Sequence, residues 1–231
     1  EFFILMEKIE GKEYFFDLER VKDDGATDLD MDRAEVLSTY LAEIHAVKKD
    51  SPALYRRKIR DTVGHGECIM GILDDYPPDP EFLAPGELSS IEKKCVDWRW
   101  QLREKTHRLC MAHGDFHPWN VMFRLGTDFS VLDRSRGEWG EAADDITAMT
   151  TNYIFYSVQK SLSLAGGLKD LFELFFENYL DKTGDEELLS VIAPFFAFRM
   201  MVVASPTWYP LLSGDVRRTL FNFLENVLDS E

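Results

Sequence analysis

The chain has 231 residues, 45% of them hydrophobic, which is typical of one large domain with a sizeable core. Its 42 acidic and 26 basic residues give a net charge of −16, a field that repels nucleic acids and anionic membranes. No window reaches the roughly 18 uninterrupted apolar residues of a membrane span, and three scattered cysteines predict neither a disulfide framework nor a zinc site. We therefore expect a cytoplasmic protein with no nucleic-acid or membrane partner, whose acidity would suit a small cationic molecule.

The start of the chain predicts strands. Residues 2–6 form a continuous apolar run, the pattern of a strand buried on both faces, and Glu13–Leu18 is a second strand candidate. A buried strand needs neighbours on both sides. We therefore expect more of this sheet in sequence that precedes Glu1, so that the chain is part of a longer protein.

Beyond Gly25 the apolar residues recur at helical spacing almost to the end. Four prolines between Tyr76 and Pro85 predict a loop that interrupts this pattern. The fold class we predict is α+β with most of its sheet missing. The predicted helices are residues 28–49, 53–72 with a break at Gly64–Gly66, 89–108, 145–162, 167–181, 185–204 and 214–229.

One segment, MAHGDFHPWNVMF at residues 111–123, concentrates chemically active side chains. His113, Asp115 and His117 resemble the clustered ligands of a metal-dependent hydrolase. Gly114 and Pro118 argue against a helix that would bring the two histidines to one face, although the hydrolase hypothesis stays open.

The same segment also has the spacing of a phosphoryl-transfer loop. Asp115 and Asn120 are five residues apart across a turn, so that the carboxylate could face an acceptor hydroxyl while the amide oxygen reaches a metal. Val121–Phe123 and Phe129–Leu132 then predict a hairpin that ends in Asp133. One amide and one carboxylate oxygen are sufficient protein ligands for Mg²⁺, which keeps water and phosphate as the others.

With HGDFHPWN followed by VLD and GEAADDIT, the chain resembles the aminoglycoside phosphotransferase / choline kinase family of the protein-kinase-like superfamily. The resemblance implies a catalytic base and two Mg²⁺ ligands in these loops, with orienting residues behind them. It also implies a hinge in residues 2–11 whose backbone faces the adenine of ATP or GTP. The implied roles are Asp115 as base, Asn120 and Asp133 as Mg²⁺ ligands, His113 and Asp145 as orienting residues, and Glu7, Ile9, Asn120 and Leu132 as residues beside the nucleotide.

The domain boundaries follow from the same resemblance. Residues 1–18 are expected to be the hinge strand and a remnant of the N-lobe sheet. Residues 19–231 are expected to form a mostly helical C-lobe, with the catalytic loop at 111–123 and the metal loop at 129–137. In the family the glycine-rich loop and the phosphate-binding lysine precede the hinge, so we expect these 231 residues alone to be inactive.

One departure from the family pattern follows Asp133. The chain has Arg134-Ser135-Arg136-Gly137 where the family usually has an aromatic and an acidic residue. The arginines could neutralise phosphate charge or lie solvated on a surface hairpin. Similarly, Gly64–Cys68 could form a wall of the acceptor site or an ordinary helix break.

The function we predict is a phosphotransferase that uses ATP or GTP and Mg²⁺ to phosphorylate a hydroxyl of an antibiotic-, amino-alcohol- or sugar-like molecule. The alternatives are a non-catalytic binding module of pseudokinase type and, third, the metal-dependent hydrolase.

Overall fold

The computed structural model of the chain describes residues 8–230 and is mostly helical. Three 3₁₀ turns, at Thr106–Arg108, Pro118–Asn120 and Glu186–Ser190, lie between the α-helices of this range. The α-helices are α1 (Phe15–Asp24), α2 (Asp28–His45), α3 (Pro52–Gly64), α4 (Ile69–Asp74), α5 (Glu87–Leu102), α6 (Ala142–Ser161), α7 (Gly166–Thr183), α8 (Ala193–Ala204) and α9 (Gly214–Asp229).

Short strands form two small antiparallel sheets in the described range. The strands are β1 (Lys12–Glu13), β2 (Cys110–Met111), β3 (Val121–Phe123), β4 (Phe129–Val131) and β5 (Trp139–Gly140). β3 is the central strand of one sheet, between β1 and β4, and β2 pairs with β5 in the other. Val121 pairs with Val131 in the predicted β3–β4 hairpin, so that residues 120 and 132 are neighbours just beyond the ladder.

The predicted strand Glu13–Leu18 is wrong. Only Lys12 and Glu13 pair with β3, and helix α1 begins at Phe15. Tyr14, Leu18 and Val21 are all buried, and their i, i+4, i+7 spacing is that of one helix face. The strand therefore ends at Glu13, and the residues from Phe15 onwards are helical. The predicted strand at residues 2–6 lies outside the described residues.

Two predicted helices are shorter than the apolar spacing indicated. The helix predicted for 89–108 ends at Leu102, and a 3₁₀ turn follows. The segment 185–204 divides into a 3₁₀ turn and helix α8, with Pro194 in the first turn of α8. Proline lacks a backbone N–H, so it is accommodated at the start of a helix and not in its interior.

Helix α6 is the centre of the fold. It packs against α1, α2, α7, α8 and α9, and it is buried on all sides over most of its length, as expected of a helix in the middle of a core. Its N-terminus follows β5 directly and points towards the loop between β2 and β3. None of the helices within residues 8–230 is long and apolar enough to span a membrane.

Candidate active site

The loop between β2 and β3 is held by the carboxylate of Asp145, in the first turn of α6. Asp145 is fully buried and accepts hydrogen bonds from the backbone N–H groups of His113 and Gly114, both at 2.7 Å. His45 adds a third contact, with its Nε2 3.1 Å from Asp145 Oδ2, and its Nδ1 lies 2.9 Å from the hydroxyl of Tyr179. Burial opposes ionisation of Asp145, but these hydrogen bonds and the neighbouring imidazoles hold its pKa below the ordinary value. His45 is itself buried in the core.

His113 connects this loop to the end of β4. Its ring is buried; Nδ1 accepts a hydrogen bond from the Asp115 N–H at 3.2 Å, so Nε2 carries the proton that is donated to the Leu132 carbonyl at 2.9 Å. Burial lowers the pKa of His113, more than the nearby carboxylate of Asp145 and the Leu132 carbonyl raise it. A neutral His113 therefore braces the Asp115 loop against the residue before Asp133.

Two residues of the site have left-handed backbone conformations. Gly114 has a φ of 86°, and a Cβ at this position would lie 3.0 Å from the Cβ of Arg136. Asp133 has a φ of 54°, which is uncommon for a residue other than glycine. Glycine adopts this conformation without strain, whereas Asp133 is strained, and strain at a residue other than glycine is often found at functional sites.

Asn120 and Asp133 are suited to a hard cation. The Asn120 amide donates through Nδ2 to the Asp115 carbonyl at 3.0 Å, which leaves its oxygen Oδ1 available as a ligand. The Leu132 N–H donates to the Asn120 carbonyl at 2.8 Å, so Asp133 follows immediately on the neighbouring strand. Asp133 is exposed, and no cation among residues 8–230 forms an ion pair with it. An amide oxygen and a carboxylate are the donor types that Mg²⁺ prefers, so the pair fits the predicted role.

The carboxylate of Asp115 is surrounded by cationic and imidazole groups. Arg199 of α8 donates through Nη1 to Oδ1 at 2.6 Å. The other oxygen, Oδ2, lies 3.6 Å from His117 Nε2 and 3.8 Å from Arg136 Nε, so its contacts are looser. Burial alone would raise the pKa of Asp115, but the His117 contact and the charges of Arg199 and Arg136 hold it well below its ordinary range. Asp115 is therefore an anion at every physiological pH.

Arg199 also contacts Asp144, the neighbour of Asp145 on α6. Its Nη2 donates to Asp144 Oδ1 at 2.7 Å and to the Gly114 carbonyl at 3.2 Å. Burial raises the pKa of Asp144, only partly opposed by the Arg199 charge. The guanidinium thus joins the loop between β2 and β3 to the start of α6.

Two cavities meet at Asp115. The first, of about 600 Å³, includes Asp133, Gly114, Asp144 and Lys58 in its lining, and we call it the Asp133 cavity. The second, of about 690 Å³, is lined by aromatic residues and by Thr151 and Asn152 of α6, and we call it the Asn152 cavity. Asp115, Arg136 and Glu67 line both, so the Asp115 carboxylate faces two compartments of molecular size.

The two arginines after Asp133 lie in different surroundings. Arg136 is partly buried, turns towards Asp115 and lines both cavities. Arg134 is exposed, and its guanidinium donates to the Ala112 carbonyl at 3.0 Å. Arg136 therefore belongs to the site, whereas Arg134 supports the loop from outside.

The Gly64–Cys68 segment is both a helix break and a cavity wall. It separates α3 from α4, and His65, Glu67 and Cys68 line the Asp133 cavity. Burial raises the pKa of the Cys68 thiol to about 11, so it stays protonated at neutral pH and lacks the thiolate that a nucleophile needs.

Arg199 is the principal site residue that the sequence analysis missed. The sequence signal was present, because Arg199 is the one charged residue in the otherwise apolar segment 193–204. A charged side chain in such a helix is buried only when it is paired, so this residue was a candidate partner for a carboxylate. The structure brings together six of the predicted site residues: His113, Asp115, Asn120, Leu132, Asp133 and Asp145. Ile9 lies half-buried in the irregular segment before β1, and Glu7 lies outside the described residues.

A hydrolase-type metal cluster does not form in residues 8–230. No group of three or more His, Cys, Asp or Glu side chains in this range is arranged to hold a metal ion. His117 contacts Asp115 and Asn120, while His113 is occupied with Leu132 and the Asp115 backbone. The two histidines that suggested a zinc site therefore serve the loop itself.

The chain resembles solved kinase structures over most of its length. A glucosamine kinase in complex with glucosamine, ADP and inorganic phosphate superimposes with a TM-score of 0.59 at 16% identity, over 94% of this chain and 57% of that one. The ethanolamine kinase of Plasmodium vivax gives 0.54 at 16% identity, over 96% and 63%. The choline kinase of Cryptosporidium parvum gives 0.52 at 13% identity, over 96% and 69%. At such identities the likeness shows the fold, and the chain spans a little over half of the glucosamine kinase.

This likeness confirms the predicted fold class, in which the described residues form the mostly helical lobe of a protein-kinase-like fold. The chain has no significant match among curated protein sequences. The model of the phosphotransferase enzyme family matches residues 3–171, which include the whole loop 111–123, Asp133 and Asp145. The chain belongs to the phosphotransferase enzyme family.

Proposed function

We propose that the full-length protein transfers the γ-phosphoryl group of ATP or GTP to a hydroxyl group of a small molecule. The observation that supports this most strongly is the position of Asp115, an ionised carboxylate where two cavities of about 600 and 690 Å³ meet. A nucleotide triphosphate in one cavity and an acceptor in the other would both reach this residue. The kinase fold and the family agree with this reaction class.

In this proposal Asp115 Oδ2 accepts the proton of the attacking hydroxyl. Oδ1 is occupied by Arg199 at 2.6 Å, whereas the contacts of Oδ2 with His117 and Arg136 are at 3.6 and 3.8 Å. A carboxylate with so low a pKa is a weak base. That suffices, because phosphoryl transfer depends mainly on the alignment of the nucleophile and the stabilisation of phosphate charge.

The phosphate end of the nucleotide lies in the Asp133 cavity under this proposal. Mg²⁺ held by Asn120 and Asp133 would neutralise charge on the phosphates when bound. Arg136, Lys58 and the Asp115 carboxylate line the same cavity. Arg136 is therefore placed to contact the transferring group, and His113 keeps the two loops in register through Leu132.

The adenine or guanine end is assigned to the segment before β1. Glu7 and Ile9 would supply backbone contacts to the base, with Leu132 beside the nucleotide. The glucosamine kinase that this chain resembles was solved with ADP, which supports a nucleotide in this fold. Because these 231 residues span 57% of that kinase, we assign the activity to the full-length protein and expect the 231-residue chain alone to be inactive.

The acceptor is assigned to the Asn152 cavity. The solved kinases that resemble the chain are named for glucosamine, ethanolamine and choline, all small molecules that carry a hydroxyl group. A cavity of about 690 Å³ has room for a molecule of this size.

The metal assignment is tested with Asp133→Ala in the full-length protein, measured as Mg²⁺-dependent turnover of ATP. Asp128→Ala is the matched control, because Asp128 is an exposed carboxylate at the tip of the same hairpin, paired with Arg124. We expect Asp133→Ala to lose about 100-fold or more in kcat and the control to keep wild-type turnover. Undiminished turnover by Asp133→Ala contradicts the assignment.

A non-catalytic binding module is the second candidate, and one observation favours it. Arg199 and Arg136 already pair with Asp115, as they would in a site where this carboxylate serves only structure. This candidate predicts that the full-length protein binds nucleotide, measured by calorimetry, with no transfer to any hydroxyl.

A further inference from the structure

Buried polar atoms without partners collect on one wall of the Asn152 cavity. Thr151 and Asn152 are at least 96% buried, yet the hydroxyl of Thr151 and the Oδ1 of Asn152 have no hydrogen-bond partner among the described residues. The Nε of Arg199 and the Nδ1 of His117 are also unpaired, and both residues line the same cavity. Unsatisfied buried polar atoms are uncommon and costly, and four of them belong to residues that line one cavity, which suits this wall to a polar ligand.

Asn152 sets a specific requirement for the hydrogen-bonding groups of this ligand. Its Nδ2 donates to the Ala148 carbonyl at 2.8 Å, so the free oxygen Oδ1 can only accept. The ligand must therefore present an O–H or N–H donor at this point. Thr151 can accept or donate, and Arg199 Nε can only donate. A hydroxyl group satisfies each of these three atoms, because it both donates and accepts.

The charges at the floor of the cavity cancel. Asp115 is in contact with Arg136 and Arg199, and Arg199 is also paired with Asp144, which does not itself line this cavity. The remaining carboxylates in the lining, Glu67 and Asp75, are exposed at the rim, where solvent screens them. A buried cation or anion would have no free counter-charge at the floor and would lose its hydration without compensation.

The apolar wall offers contact area, and two of its aromatic side chains already have partners. Both arginines already lie over the ring of Phe198, at 5.7 Å for Arg136 and 4.8 Å for Arg199. Trp119 is stacked on Phe15 at 4.8 Å between ring centroids. Trp208 is 62% exposed and lines the cavity, so its indole can cover one apolar face of a ligand.

We propose that the acceptor in the Asn152 cavity is an uncharged, hydroxyl-rich molecule with one apolar face. Its hydroxyls bond Thr151, Asn152 and Arg199 Nε, and its apolar face lies against Trp208. This inference rests on the proposed phosphotransferase function and differs from the cationic acceptor that the net charge of −16 suggested. The distant acidic surface does not supply the buried counter-charge that a cation needs.

The charge preference is tested with matched acceptors and the full-length protein with Mg²⁺ and ATP. The panel contains uncharged sugars, cyclitols and alditols, each paired with its amino and carboxylate counterparts. We expect kcat/KM for the best uncharged member to exceed that of its charged counterparts by about 100-fold. A preference for an amino or carboxylate member overturns the inference, and so does the absence of phosphorylation of every uncharged member.

The role of the α6 wall is tested with Thr151→Val, which removes the free hydroxyl and keeps the side-chain shape. Thr150→Val is the matched control, because Thr150 is equally buried on the same helix but bonds the Ile146 carbonyl at 2.8 Å and lines neither cavity. For the best acceptor we expect Thr151→Val to raise KM about tenfold with little change in kcat, and Thr151→Ser to restore it. Equal effects of the two valine variants overturn the assigned contact.

Slow hydrolysis of ATP by water separates failure of this inference from failure of the proposed function. Hydrolysis needs no acceptor in the Asn152 cavity, so we expect it in wild-type protein and expect its loss in Asp115→Asn. Hydrolysis that depends on Asp115, together with a preference for charged acceptors, overturns only the inference. If the protein shows neither hydrolysis of ATP nor transfer to any acceptor, the phosphotransferase proposal itself is contradicted.

Discussion

Arg199 Nη1 lies 2.6 Å from Asp115 Oδ1, which joins the proposed catalytic base to helix α8 across 84 positions of the chain. The same guanidinium holds Asp144 at 2.7 Å, and its side chain is 8% exposed. Arg199→Met would leave Asp144 without its partner and Asp115 with only its looser contacts to His117 and Arg136. We expect the free energy of unfolding to fall by about 3–5 kcal/mol, measured by urea denaturation.

The matched control for this variant is Arg124→Met. Arg124 pairs with Asp128 at 2.6 Å, but these side chains are 35% and 62% exposed. Solvent screening makes an exposed pair contribute little to stability, so we expect Arg124→Met to lose far less unfolding free energy than Arg199→Met. Equal losses for the two variants would show that Arg199 does not hold the site together.

Substitution of Gly114 should cost more stability than substitution of a glycine with the same backbone conformation elsewhere. Gly114→Ala places a Cβ in a left-handed backbone, with φ of 86°, and 3.0 Å from the Cβ of Arg136. Gly126→Ala has comparable backbone strain, with φ of 64°, but no atom within 4 Å of the new Cβ. We expect Gly126→Ala to lose about 1 kcal/mol of unfolding free energy and Gly114→Ala to lose more, together with activity. Equal losses would mean that the Arg136 contact adds nothing.

The His113 brace predicts a dependence of stability on pH. Burial lowers its pKa in the folded state, so the unfolded chain, with a histidine pKa of about 6.5, binds this proton first as the pH falls. The contribution of neutral His113 to the free energy of unfolding is therefore fully present above about pH 6.5. It is lost as the pH falls below that value, by up to about 1.4 kcal/mol per pH unit, until the pH reaches the pKa of His113 in the folded state.

The variant that isolates this effect is His113→Gln, compared with wild type by urea denaturation at pH 7.5, 6.5 and 5.5. Glutamine lacks the titrating ring, so we expect a smaller loss of stability between pH 6.5 and 5.5. His65→Gln, at an exposed position, is the control and should keep the wild-type dependence. An unchanged pH dependence in His113→Gln would place the titrating group elsewhere.

The local part of the site was predictable from sequence because its members are close along the chain. Asp115, Asn120 and Asp133 lie within one loop and one hairpin, and the ladder between Val121 and Val131 fixes their geometry. Arg199 was not predicted, because its contact with Asp115 depends on how α8 packs beneath the loop. Likewise, Tyr14–Leu18 reads as apolar in any short window, and only burial at positions 14, 18 and 21 identifies a helix.

The wall that α6 contributes to the Asn152 cavity could not be predicted from the sequence either. Thr151 and Thr150 are adjacent in sequence and equally buried, and composition does not distinguish them. Only the structure shows that the Thr150 hydroxyl bonds its own helix, whereas the Thr151 hydroxyl has no partner among the described residues and belongs to a residue that lines a cavity. The net charge of −16 describes the whole chain and not this floor, where carboxylates and arginines form pairs.

The most direct test of the central claim is single-turnover transfer of the γ-phosphoryl group of ATP by full-length wild-type protein and by Asp115→Asn. Asp128→Asn is the control, and circular dichroism confirms that each variant is folded. We predict that Asp115→Asn lowers the rate of transfer by about 100-fold or more while it still binds Mg²⁺·ATP. Transfer by folded Asp115→Asn at the wild-type rate would contradict the assignment of Asp115 as the base between the two cavities.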